Sequence, residues 1–117
     1  MTVSHMHKRL DPFADCTATE LAEYRGYKCE NCDGSVWQNG GPERNHCLVP
    51  DRKRYHQQVT IVLNFELVCH KCHQIEECHT FEHRVAFKRK QEERYGVERV
   101  DGFLRSIPMV SDGIVEA

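Results

Sequence analysis

Two Cys-x-x-Cys pairs, Cys29/Cys32 and Cys69/Cys72, are separated by 36 residues in a chain of 117. Two residues between paired cysteines let both sulfurs reach one ion from a tight turn, and four thiolates suit the tetrahedral demand of structural Zn²⁺. Closing such a site pins the intervening segment at both ends, with room for two strands and a loop. A chain of this length is one domain with a modest core, 39% hydrophobic and 29% charged. Domains this small bury too little surface to be stable without help, and a metal staple is a common remedy.

The remaining composition favours metal over disulfides. Seven cysteines are an odd number, so a full disulfide framework would leave one thiol over. The start, MTVSHMHKRLDPF, has no apolar signal-peptide core, and no stretch has the length to cross a membrane. These points together indicate a cytoplasmic setting in which thiols stay reduced. The formal charge of −2 does not advertise nucleic-acid binding, but its distribution is uneven. Six Lys or Arg against three Glu lie from Arg84 to Arg99, and a second basic cluster, DRKRYH, runs from Asp51 to His56. Such patches are ordinarily solvated surface, although they also steer phosphate backbones.

Along the chain, residues 1–14 read as a loose polar lead-in, 15–96 as the zinc-bound domain, and 97–117 as an extension that packs on it or is partly disordered. Thr17 and Glu20 have capping-box spacing ahead of a short helix that Gly26 stops. Asp33-Gly34 supplies a turn past the first knuckle. Residues 50–58 read as a loop, and VTIVLNFELVC as one or two short strands around Asn64. From Cys72 to Tyr95 the sequence suits a helix ended by Gly96, with Phe81 and Val85 on its buried face. The order helix, knuckle, strand, loop, strand, knuckle, helix predicts a small α+β fold with flanking helices. Cys16 and Cys47 read as small buried hydrophobes, and Trp37 as core or zinc-site cover.

Between and beside the knuckles a further pattern stands: NHCLVP from Asn45, and NFELVCHKCH, which sets Asn64 five residues before Cys69 and His73 directly after Cys72. This set resembles the HNH endonuclease family, in the subgroup where two Cys-x-x-Cys knuckles bind structural zinc around a treble-clef-like ββα-metal core. The resemblance covers roughly Arg25 to His83, about half the chain. It implies a nuclease that hydrolyses DNA phosphodiester bonds with one catalytic Mg²⁺ or Mn²⁺. His46 matches the general base, Asn64 the residue that fixes the loop and orients that base, and His73 a ligand of the catalytic ion. Asn45 takes the second-ligand position, where the family usually has Asp or His. The spacing from His46 to Pro50 is one longer than the commonest form, and a register shifted by one puts Cys47 at the base position with His46 as ligand.

The resemblance further implies a DNA partner, duplex or branched, with the helix from His73 against the minor groove. Arg52, Lys53, Arg54, Arg84, Lys88, Arg89 and Lys90 would then contact phosphates, making binding salt-dependent. It also suggests a phage or mobile-element source, acting in the host cytoplasm. Two other functions stay open: a catalytically inactive zinc module that binds nucleic acid, a protein partner or a second copy, and a two-zinc adaptor drawing on Cys47, Cys78, His79 or His83. The ligand order of the adaptor fits less well.

Overall fold

The computed structural model describes residues 10–50, 53–107 and 113–117. Helix α1, Ala18–Arg25, begins where the sequence places it: Thr17 Oγ1 accepts from the Glu20 amide at 3.0 Å and Glu20 returns a carboxylate to the Thr17 amide at 2.8 Å. Gly26, at φ 86°, ends it in the left-handed conformation that glycine adopts without strain. After the first knuckle come strand β1, Pro42–His46, a connection carrying the one-turn helix α2, His56–Val59, and strand β2, Phe65–Cys69. The short helix α3, His70–His73, leaves β2 directly and carries Cys72; α4, Phe81–Tyr95, and α5, Val97–Ser106, follow. The result is a small α+β fold with one two-stranded sheet.

The strands pair antiparallel, with Pro42 opposite Cys69, Asn45 opposite Glu66 and His46 opposite Phe65. Because side chains alternate across a strand, this register gives the hairpin two faces of different character. On one, the Arg44 guanidinium lies 4.9 Å from the centre of the Phe65 ring, and the His46 ring meets the same phenyl edge-on at 5.2 Å. The other carries Glu43, Asn45 and Glu66, and polar partners from α3 and α4 meet them there.

The apolar core forms two clusters. One holds Leu21, Val36, Phe65, Leu67 and three of the knuckle cysteines, Cys29, Cys69 and Cys72; the other joins Leu48, Val59 and Leu63 beneath the hairpin loop to Phe87, Val100, Phe103 and Leu104. The last three lie at i, i+3, i+4 on α5, the spacing of a single buried helical stripe, so residues beyond 96 share the domain's core. The C-terminal residues are packed too: Ile114 is buried, and Lys88 Nζ donates to the carbonyls of Ile114, Val115 and Ala117.

Several local expectations fail for identifiable reasons. Phe81 is 39% exposed while Val85 is partly buried against the second cluster, and the residues α4 buries are Arg84, Phe87, Lys88 and Gln91. The polar members of that stripe are admitted because each finds backbone carbonyls, as in the Gln91 Nε2 bond to Leu63 O at 2.8 Å. Residues 50–58 contain the start of α2, and Trp37 is 54% exposed, so it is not a core residue. At the other end, the carbonyls of Pro12 and Ala14 accept from the Leu63 and Val62 amides, tying down the last part of the lead-in.

Candidate metal centre and the polar hairpin face

Sequence spacing supplies the four-cysteine site, but buried polar contacts bring its halves together. Glu30, between Cys29 and Cys32, exchanges bonds with β2: its amide donates to Leu67 O at 2.8 Å and its Oε2 accepts from the Leu67 amide at 2.6 Å. Arg25 reaches across with Nη1 on Glu30 at 2.8 Å and on Phe65 O at 2.5 Å. Burial works against ionising Glu30, yet Arg25, Arg94 and the Leu67 amide outweigh it and hold the carboxyl below its usual range. The second knuckle is set by Gly40, at φ 97°, whose absent Cβ would lie 2.8 Å from the Cβ of His70. Only glycine meets both conditions there.

The sulfurs of Cys29, Cys32, Cys69 and Cys72 all lie within 4.8 Å of one another. A tetrahedral ZnS₄ site with Zn–S near 2.3 Å needs sulfurs about 3.8 Å apart, so this set fits zinc after small adjustment. The backbone is arranged for thiolates: the amides of Asn31 and Cys32 approach Cys29 Sγ at 3.4 and 3.5 Å, and that of Cys72 approaches Cys69 Sγ at 3.4 Å. Asn31 Nδ2 also reaches Cys72 Sγ at 3.3 Å. Such N–H···S contacts stabilise sulfur charge. Burial and the neighbouring thiols push the Cys72 thiol up, against the Asn31 contact. The four cysteines therefore could hold a structural metal such as zinc.

Asn64 is fully buried in the loop between the strands. Its Oδ1 accepts from the Val49 amide at 2.8 Å, and its Nδ2 donates to Val49 O at 3.0 Å and Val59 O at 2.8 Å. One side chain thus ties both ends of the connection, which is a loop-fixing role.

His46 and His73, matched to base and ligand, occupy different faces. The Thr60 hydroxyl gives its proton to His56 O, so His46 Nε2 donates to Thr60 Oγ1, at 3.3 Å, on the Phe65 side. His73 lies on the opposite side, where its Nδ1 donates to Glu43 Oε1 at 2.6 Å. Glu43 Oε2 takes a second bond from His70 Nδ1 at 2.5 Å. Partial burial opposes ionisation of Glu43, but the two imidazoles prevail and lower its carboxyl below the usual range. A histidine bonded to a carboxylate through Nδ1 keeps its lone pair on Nε2, the arrangement that second-shell carboxylates impose on metal-binding histidines. His79, exposed, donates from Nε2 to His73 O at 2.9 Å, with ring centres 5.7 Å apart.

Asn45 shares the His73 face and spends Nδ2 on Glu66 Oε1 at 3.0 Å and Cys78 O at 3.2 Å. Cys47 and His83 join Glu66 on this face, a grouping that no local motif announces; only the pairing register and the approach of α4 create it. Cys47 is buried, and that burial, with the nearby Glu66 charge, drives its thiol far above the usual range.

The basic residues divide. Arg84 donates from Nε to Cys47 O at 3.1 Å and from Nη2 to Leu48 O at 2.6 Å; it and Lys88 are buried and spend donors on internal carbonyls, so neither serves as a phosphate contact. Lys90 bonds Glu30 O at 2.9 Å. Lys53, Arg54 and Arg89 are exposed, and Arg52 lies outside the described residues. Among the described residues no helix is long and apolar enough to cross a membrane. Comparison of the chain with family models, curated proteins and solved structures finds no match.

Proposed function

We propose that the protein is an HNH-type nuclease with a ββα-metal core, hydrolysing DNA phosphodiester bonds with one Mg²⁺ or Mn²⁺ on the polar face of the hairpin. One observation carries this reading: a hairpin flanked by cysteine knuckles, its loop tied by buried Asn64, runs directly into a helix presenting His73 with its Nδ1 held by Glu43. Phosphodiester hydrolysis needs a polarised phosphate, an activated water and a stabilised leaving oxygen, and one divalent ion supplies the first and last. His73 Nε2 and Asn45 Oδ1 are the atoms that would meet the ion. The proton acceptor is assigned to His79, not His46. His79 is exposed beside His73, and donating from Nε2 leaves its Nδ1 with the lone pair a general base requires. Of the cations matched to phosphates in the sequence, Lys53, Arg54 and Arg89 are exposed, and these would make the contacts.

A second reading, the inactive module that binds nucleic acid or a protein, is favoured by the separation of His46 from His73 across the hairpin. Supercoiled plasmid incubated with the protein in Mg²⁺ or Mn²⁺ separates the two. The nuclease nicks it, His73→Ala abolishes nicking, His79→Ala slows it about 10²–10⁴-fold, the usual worth of a general base, and folded His46→Ala retains it. A wild type that leaves plasmid intact with every metal sinks the enzyme. Loss of activity in folded His46→Ala with His79→Ala spared would return the base to His46.

A further inference from the structure

Beyond the four-cysteine site, the polar hairpin face holds a second convergence of ligand types. Cys47 follows β1, Glu66 lies within β2, and His83 sits in the first turn of α4, yet their Sγ, carboxylate and ring-nitrogen atoms all lie within 4.8 Å of one another. We infer that Cys47, Glu66 and His83 form a second metal site, which takes one zinc-class ion and pins α4 to the hairpin.

The donor set selects the ion. One thiolate, one carboxylate and one imidazole suit Zn²⁺ or Co²⁺, whereas Mg²⁺ and Ca²⁺ prefer oxygen throughout. The groups are also placed as ligands are placed. Glu66 is 1% exposed and Cys47 2%, a carboxylate and a thiol buried side by side. Both Glu66 oxygens converge on the single Nε2 of His83, at 2.8 and 2.7 Å. One N–H can serve only one of them well, whereas an ion lying among carboxylate, imidazole and sulfur engages all three.

Supporting contacts orient each ligand, as outer-shell groups do around bound metals. Asn45 Nδ2 holds Glu66 Oε1 at 3.0 Å. Thr80 Oγ1 caps α4 by accepting from the His83 amide at 3.1 Å, fixing the turn that carries the ring. Arg84 Nε, at 3.1 Å from Cys47 O, locks the same first turn of α4 onto the segment carrying the thiol. Three protein ligands leave a fourth position on a tetrahedral ion, the mark of zinc sites that can also admit water or a small anion. The plain alternative is a buried His83–Glu66 ion pair with Cys47 as apolar filling, and it predicts one zinc per chain.

The site does not depend on nuclease activity, and its test uses metal content. The full chain, saturated with Zn²⁺ and freed of excess by gel filtration, is expected to carry two zinc ions per chain by elemental analysis. Cys47→Ser, Glu66→Gln and His83→Ala should each keep one ion, with the second bound at least 10-fold more weakly. Titration with Co²⁺ supplies a further readout: a second equivalent adds thiolate-to-cobalt absorption in the wild type and not in Cys47→Ser. His83→Ala, on the partly exposed side chain, is the variant that best preserves the fold, and retention of the first ion with an unchanged circular dichroism spectrum reports that it has. One zinc per chain in the saturated wild type, or a second ion untouched by all three substitutions, overturns the inference.

Discussion

Removing the Asn64 side chain tests how the hairpin loop is held. In Asn64→Ala, the Val49 amide and the carbonyls of Val49 and Val59 lose their partners together, in a loop where Val49 is 5% exposed and Val59 fully buried. A buried polar group left unsatisfied costs about 1–3 kcal/mol. Water entering the space vacated by the amide recovers part of this, so the net loss is put at about 3–5 kcal/mol. Against the roughly 5–15 kcal/mol that separates folded from unfolded domains, that is a large fraction. With an m-value near 1.5 kcal/mol/M, the urea midpoint falls by about 2–3 M. Asn64→Asp is the sharper case. It keeps the acceptor for the Val49 amide but turns an anion toward two carbonyls, so it should lose at least as much as the alanine variant. Unfolding would be followed by circular dichroism at a fixed, buffered zinc concentration, because binding energy and folding energy are inseparable in small metal-stapled domains. A loss below about 1 kcal/mol for Asn64→Ala, or near-wild-type stability for Asn64→Asp, would refute the argument that these three bonds hold the loop.

Two further outcomes follow from the same contacts. Stripping the four-cysteine site with a strong chelator should unfold the chain cooperatively, since structural zinc contributes about 10–16 kcal/mol to modules of this size; a chelated protein with unchanged circular dichroism and zinc content near zero would show that the Arg25–Glu30 contacts suffice alone. Glu30, whose carboxyl is lowered in the folded state against burial, stabilises the fold fully above its unfolded value of about 4.3 and progressively less as pH falls through its lower folded value. The stability gap between wild type and Glu30→Gln should therefore be flat above about pH 5 and shrink below about pH 4. A gap that widens on acidification would contradict the assignment.

How far the sequence alone reached is clearest at particular residues. The Thr17–Glu20 cap, the Gly26 stop and the two knuckles depend on neighbours within a few positions, and short-range geometry makes them legible from spacing. The loop-fixing role of Asn64 was an implication of the family resemblance and not of spacing; its bonds to Val49 and Val59 belong to the tertiary structure. A helix ended by Gly96 was anticipated, but as one run from Cys72; the structure divides that run at the 3₁₀ turn Glu76–His79, and the buried stripe of α4 was not foreseen. Arg84 and Lys88 look like solvent-facing cations in any local reading, and it is the carbonyls of residues 47, 48, 114, 115 and 117 that make their burial affordable.

What tertiary structure alone decided is the sidedness of the hairpin. Strand alternation is a period of two, so one residue of register moves a side chain from one face to the other. Adjacent in sequence, His46 and Cys47 are divided in this way: His46 turns to Phe65 and Thr60, while Cys47 joins Glu66 and His83. The sequence by itself determined that two cysteine pairs with 36 residues between them could close a two-stranded unit around one tetrahedral ion. Which histidines face one another across that unit depended on pairing register and on the docking of α4, long-range packing that no local spacing encodes.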